Sequence, residues 1–382
     1  MSFNQYTWDL YKQTTIGIEM IKYFSDAGGY VLFKDYCPYA NFIPEDLYND
    51  WLENIYCYGV SDYDHPSSLE EAKDLYISLI TLGIRVEGQQ WLPANDFKNM
   101  LGIIQPMSYV LSQFAPEYFF PYLFLCRIFE LNKIADFFNI DLPNIPKRTD
   151  YKGRCMYYWE LCEVFYLFRK ENGLSPADLW SFLYDFAPNN LPSEKIDMPK
   201  PSQVWFIGGR LYQEDKSLES KFWQSSPETK KGDILVHYET SPISAITCIE
   251  ISLTDGVIDP LFRYYGCIYI GNRINIPHIT LKELQTDEYF FKHPLVRKNF
   301  QGVNGWSVNS ENYSELLRMI KTKGFDIEVL PKLYAPTLPK DVIIEYEHDV
   351  EQQLLEPLLN SMGWYENKDL SLIHISEPTR LR

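Results

Sequence analysis

Apolar positions recur with a helical period through the first half of the chain and switch to a two-residue period near residue 200. Ser68 and Glu71 make a capping-box pattern. Leu69, Ala72, Leu75, Tyr76 and Leu79 follow on one helical face, and Gly83 supplies a stop. Ser175 with Pro176 behind it opens another helix, with Leu179, Phe182, Leu183 and Phe186 on one face, expected to end before Pro188. Between the two, MYYWELCEVFYLF (156–168) is so rich in aromatic residues that its apolar stripe must be wide and largely buried. Residues 1–190 therefore read as an all-helical domain.

PNNLPSEKIDMPKP (188–201) alternates prolines with polar spacers, and 191–202 is taken as a linker. After it come short runs rich in β-branched and aromatic residues and bounded by turns: QVWFIG (203–208), DILVHY (233–238), AITCIEI (245–251) and RYYGCIYI (263–270). Helices are expected at 280–285, opened by a Thr280 and Glu283 capping box, and at 311–322, stopped near Gly324. The chain thus reads as α+β, with a β-rich domain over 203–330. Beyond it, EYEHDVEQQLLEPLLNSMGW (345–364) places Val350, Leu354, Leu355, Leu358, Leu359 and Met362 at helical spacing, and Pro357 should kink or restart that helix.

Composition narrows the classes. The longest apolar stretch, YFFPYLFLC (118–126), contains a proline and is closed by Arg127, well short of the roughly 20 residues a membrane span needs. The first residues show no basic start followed by an apolar run, so a cytoplasmic protein with no membrane partner is expected. The seven cysteines form no CxxC pair and read as reduced, mostly buried thiols. Cys155 and Cys162, seven apart in the aromatic run, could share a helical face. The net charge of -17 is uneven: 16 basic against 27 acidic residues in 1–200, but 14 against 16 in 201–330. A surface that wraps nucleic acid should be basic, so the acidic helical half suits a protein partner and the near-neutral middle stays eligible for nucleic acid.

VWFIGG (204–209), Trp223 before a polar turn, KKGDILVHY (230–238) and SPISAI (241–246) stand in the order of the EVE and YTH branch of the PUA-like fold, which residues 204–323 resemble. Apart from the family, Gly232 permits a tight turn and Asp233 can bond the turn's own backbone. The resemblance implies a compact β-barrel with flanking helices that reads a nucleobase, often a modified one, in an aromatic-walled pocket. Flat apolar faces stack on an extruded base, and a few polar groups read its edge. Trp205, Trp223 and Tyr238 are the expected faces, and Ser241 the expected edge contact. The same rings could instead fill the barrel core. The loop 255–275 is longer than a minimal reader needs. Arg273, Arg297 and Lys298 are candidate phosphate contacts.

The helix at 345–364 resembles the opening helix of restriction-type nuclease domains, with Glu347 and Glu351 as the candidate acidic catalytic residues. In such enzymes a later strand adds carboxylates and a lysine that hold Mg²⁺, the cofactor expected of a full-length parent. No complete metal site is legible here. LSLIHISEPTR (370–380) resembles the translated read-through of a sequencing-library adapter. The expectation is therefore 341–369 as the truncated start of a nuclease domain and 370–382 as a non-native tail. The function implied is DNA-base recognition within a prokaryotic restriction or phage-defence protein, the fragment itself inactive. The rival is a non-enzymatic RNA- or protein-binding module.

Overall fold

The fold, a computed structural model, describes residues 3–38, 40, 43–86, 89–192, 198–210, 220–334 and 346–361. It is mixed α+β and divides into two compact units, residues 1–194 with 257–266, and 195–256 with 267–382. The division falls inside the expected linker. Residues 257–266, assigned from sequence to the β-rich domain, belong instead to the first unit, which explains the long loop after Asp255.

In the first unit the helix Tyr151–Glu171 buries Cys155, Tyr157, Tyr158, Trp159, Leu161, Cys162, Phe165 and Phe168, as its aromatic density requires. Leu69–Leu82 starts at Ser68, whose side chain accepts from the Glu71 N–H, and ends at Gly83 with φ +74°. Pro176–Ser181 opens on a complete Ser175 and Asp178 capping box. It does not stop before Pro188: a π-turn at Phe182–Phe186 lets the helix run on through Ala187–Asn190, with the proline in the first turn of the new segment, where its missing N–H is harmless. Nor is this unit all helical, since Ile84–Val86 and Gln89–Leu92 pair as an antiparallel hairpin after Gly83 turns the chain.

The apolar stretch 119–126 is buried without regular structure, so its backbone needs side-chain partners. The Tyr122 N–H donates to Ser108 Oγ, the Leu123 N–H to the Tyr184 hydroxyl, and the Cys126 N–H to the buried Asp259 carboxylate at 2.8 Å. Asp259 also accepts from the N–H groups of Leu261 and Phe262. Buried Arg154 spans the same segment, donating to the carbonyls of Pro260, Phe262 and Arg148 at 2.8, 2.6 and 3.0 Å. No disulfide joins the cysteines, all of which but Cys57 are buried, and burial pushes the Cys155 and Cys162 thiols up to about 12. Among the described residues no helix is long and apolar enough to cross a membrane.

The second unit is built on a sheet of β1 (Val204–Gly209), β2 (Ser220–Gln224), β3 (Ile234–Glu239), β4 (Ala245–Ser252), β5 (Gly266–Thr280) and β6 (Trp306–Val308), ordered β2-β5-β4-β3-β1-β6. All neighbours are antiparallel except β1 and β3. Register shifts between β4 and β5 bend the long β5, and the sheet curls into a half-barrel. Successive residues face opposite sides. Val204, Phe206, Ile234, Val236 and Tyr238 pack on the side covered by Leu281–Thr286 and Ser310–Thr322. Trp205, Ile207, Leu235, Ile268 and Ile270 line the inner face.

The Gly232 and Asp233 turn ties the start of β3 to the start of β1. Asp233 accepts from the Lys230 and Gln203 N–H groups, Ser202 Oγ and Trp205 Nε1, and burial raises its carboxyl despite these bonds. Gly232 has φ +93°, and a Cβ there would lie 2.5 Å from the Pro199 carbonyl oxygen. Gly232→Ala is therefore expected to destabilise the second unit by about 1–3 kcal/mol, as measured by urea unfolding. An unchanged midpoint would remove this turn from the account.

Glu347–Val350, a π-turn at Glu351–Leu355 and Glu356–Ser361 form the final described helix. The π-turn precedes Pro357, which cannot donate to the ladder, so the expected interruption is local rewinding. Leu354, Leu355, Leu358 and Leu359 are half-buried. Residues 370–382, expected as a non-native tail, lie outside the described residues.

Candidate functional site

The inner face of the half-barrel carries polar groups where a core would carry methyls. His237 on β3 pairs in register with Cys248 on β4, and Leu235 pairs with Glu250, so His237, Cys248 and Glu250 point to one side and are all buried. His237 Nδ1 lies 3.0 Å from Glu250 Oε2. Arg273 on β5 donates through Nε to Glu250 Oε1 at 2.8 Å, with Nη2 also 2.8 Å from that oxygen. Burial pushes the Glu250 carboxyl up, but its hydrogen bond with His237 and the guanidinium of Arg273 outweigh it, and Glu250 stays below its ordinary range. Burial pulls Arg273 down, and Glu250 more than restores it. Burial, aided by Glu250, pushes the Cys248 thiol up to about 12.

Trp223 on β2 is half-buried and meets the His237 ring edge-on, with centroids 4.6 Å apart. Its Nε1 donates to Asn304 Oδ1, which also accepts from the Gly208 N–H. A Cβ at Gly209 would lie 2.5 Å from the Trp223 ring, so only glycine leaves the indole this position. His237 Nε2 is buried and has no hydrogen-bond partner among the described residues. An orphaned polar atom inside a barrel is costly unless something else satisfies it.

The three rings Trp205, Trp223 and Tyr238, expected to converge on one pocket, do not do so. Trp205 and Trp223 share the inner face, but Trp205 is nearly enclosed and its N–H is committed to Asp233. Tyr238 lies on the opposite face, stacked on Phe300 at 4.0 Å, because it follows the inward-pointing His237 by one residue. Ser241 is exposed, and its carbonyl accepts from Arg210. Arg273 is not a free phosphate contact but the ion-pair partner of Glu250, its side chain 29% exposed. Arg297 and Lys298 are exposed, at the end of a helical turn anchored by Leu295 and Val296 in the outer core. Glu351 lies 3.8 Å from His348 Nδ1, and the side chain of Glu347 lies outside the described residues.

Sequence reasoning passed over His237, Cys248, Glu250 and Asn304. A signal existed for two of them: in ILVHYE and AITCIEIS a histidine and a glutamate stand among residues that otherwise read as fully buried strand. Asn304, in a loop, gave none.

His237, Cys248 and Glu250 bring one ligand-type atom each within 4.8 Å of one another. They fit a divalent ion poorly. Nδ1 and Oε2 already bond each other, Oε1 holds a guanidinium, and the thiol would have to give up a proton it holds to about 12. The trio works better as a hydrogen-bond chain that orients the imidazole.

In the first unit, Asp141, Asp150, Glu160 and Glu163 ring a groove of about 590 Å³ with Ile145, Val164 and Leu167 on its walls. Burial, then Glu163, pushes the Glu160 carboxyl up.

No family model and no curated protein matches the sequence. Among solved structures, Rpa0253 of Rhodopseudomonas palustris, determined by NMR, is 13% identical, with 31% of this chain and 94% of that one covered at a TM-score of 0.28. A likeness of that size defines neither fold nor function.

Proposed function

We propose that the second unit is a nucleic-acid recognition module that takes one DNA base, plain or modified, into its half-barrel. The observation that carries this reading is the half-buried Trp223 set edge-on against a buried His237 whose Nε2 has no partner among the described residues. An indole offers a stacking face to any base, while an oriented imidazole can discriminate the base edge. Arg297 and Lys298 then serve as backbone contacts, which set affinity rather than choice of base.

Titration of the whole chain with short single-stranded and duplex DNA, carrying cytosine, 5-methylcytosine, adenine or N6-methyladenine at one position, tests this through tryptophan fluorescence. Trp223→Ala is expected to weaken binding by about 1–3 kcal/mol. The double change Arg297→Ala, Lys298→Ala should lower affinity for all probes alike and flatten the salt dependence. A Trp223→Ala protein that binds as well as the parent would end the reading.

The groove favours a second role for the first unit, docking a basic, partly apolar protein segment, since Asp141, Asp150 and Glu160 stand beside its apolar walls while Glu163 is paired with Lys73.

A further inference from the structure

We propose that His237 reads its ligand with a lone pair: Nε2 is a hydrogen-bond acceptor, and the group it selects is an exocyclic amino donor on a planar base. This rests on the base-recognition reading and adds the polarity of the contact. Glu250 Oε1 takes the Arg273 guanidinium, which keeps the carboxylate ionised, and Oε2 faces His237 Nδ1. An ionised carboxylate can only accept, so the shared proton resides on Nδ1. In a neutral imidazole the lone pair then lies on Nε2, as it does wherever a carboxylate orients a histidine. A proton on Nε2 as well would leave a buried N–H without an acceptor and bring a second cation near Arg273.

The Asn304 oxygen is taken by Trp223 and Gly208, so it does not compete with Nε2 for a donor on the ligand. Trp223 covers the imidazole, so entry requires that ring to swing aside, after which it can stack on the base.

Two measurements on the whole chain decide the matter. In ¹⁵N NMR of the imidazoles at neutral pH, with the His237 signals assigned by their loss in His237→Gln, the Nδ1–H tautomer is expected. The Nε2–H tautomer or an imidazolium overturns the proposal. For binding, single-stranded DNA probes differ only in one central base. Cytosine, whose amino group stands where thymine carries a carbonyl, should bind on the order of tenfold or more tightly than thymine, and adenine likewise more tightly than hypoxanthine, which has no exocyclic amino group. Methylated cytosine and adenine are included in the panel. Glu250→Gln can donate to Nδ1 and so shift the proton to Nε2, and it should reverse the preference. If that variant does not fold, the tautomer and the wild-type panel still give the answer. Equal binding of all probes sinks the acceptor role but leaves base recognition standing. Binding of none overturns both. A thiolate-to-cobalt charge-transfer band on adding Co²⁺, lost in Cys248→Ser, would make the cluster a metal site and also overturn the proposal.

Discussion

Arg154→Met is expected to destabilise the first unit by about 3–5 kcal/mol, the size associated with breaking a buried charged network. Arg154 is 1% exposed, and its planar fork reaches the carbonyls of Pro260, Phe262 and Arg148. Its guanidinium also lies over the rings of Tyr151 and Tyr265, at 5.3 and 5.2 Å from their centroids. Methionine replaces the apolar stem but no donor, so the buried Pro260 carbonyl loses its partner and the Phe262 carbonyl keeps only the Tyr265 N–H; a buried, unsatisfied group costs about 1–3 kcal/mol, and the lost guanidinium contacts with the two tyrosine rings add to it. Lysine restores charge without the fork and should recover only part of the loss. Hydrogen exchange of amides in Tyr151–Glu171 isolates this unit from the other. Protection lowered by less than about 1 kcal/mol would mean that 257–266 is held by something other than Arg154.

How much of this was legible varies with the range of the interaction. Caps and stops are local, and Ser68, Ser175, Thr280, Gly83 and Gly324 mark the helix ends they were read to mark. The strands 204–209, 234–239 and 245–252 were found for the same reason, since two-residue alternation is a property of a few neighbours. The site depends on parity, which is less forgiving. Choosing Tyr238 over His237 moves the chosen side chain to the other face of the sheet, and aromatic character pulled the choice to the wrong one. Asp259 and Arg154 were unreadable because they meet across more than a hundred residues, in a segment whose neighbours in sequence belong to the sheet. The short strands Ser220–Gln224 and Trp306–Val308 carry too few residues to show a period.

Mild acidification should remove a destabilising buried charge from the first unit, that of Asp259. Burial pushes its carboxyl up from 3.8 to about 6, against the pull of the Cys126, Leu261 and Phe262 N–H groups and the nearby charge of Arg154. A folded-state pKa above the unfolded value means that the native state holds the proton more tightly between those two pH values. Below about pH 4 both states are protonated and the group is neutral to stability. Above about pH 6 both are ionised and the whole penalty is present, about 3 kcal/mol for a shift of this size. Glu250, held below its ordinary range in the second unit, runs the other way: its contribution is present above the unfolded value and is lost as pH falls through the folded one. The two must therefore be separated by variant rather than by scanning the parent alone. Asp259→Asn keeps an acceptor for Leu261 and Phe262 but turns an amide towards the Cys126 N–H, an offset that does not depend on pH. The stability of the parent minus that of Asp259→Asn, followed by exchange of first-unit amides, should thus increase by about 2–3 kcal/mol from pH 7 to pH 4. A difference that stays level across that range would show that Asp259 ionises in the native protein as readily as in the unfolded chain, and that its three N–H donors fully offset its burial.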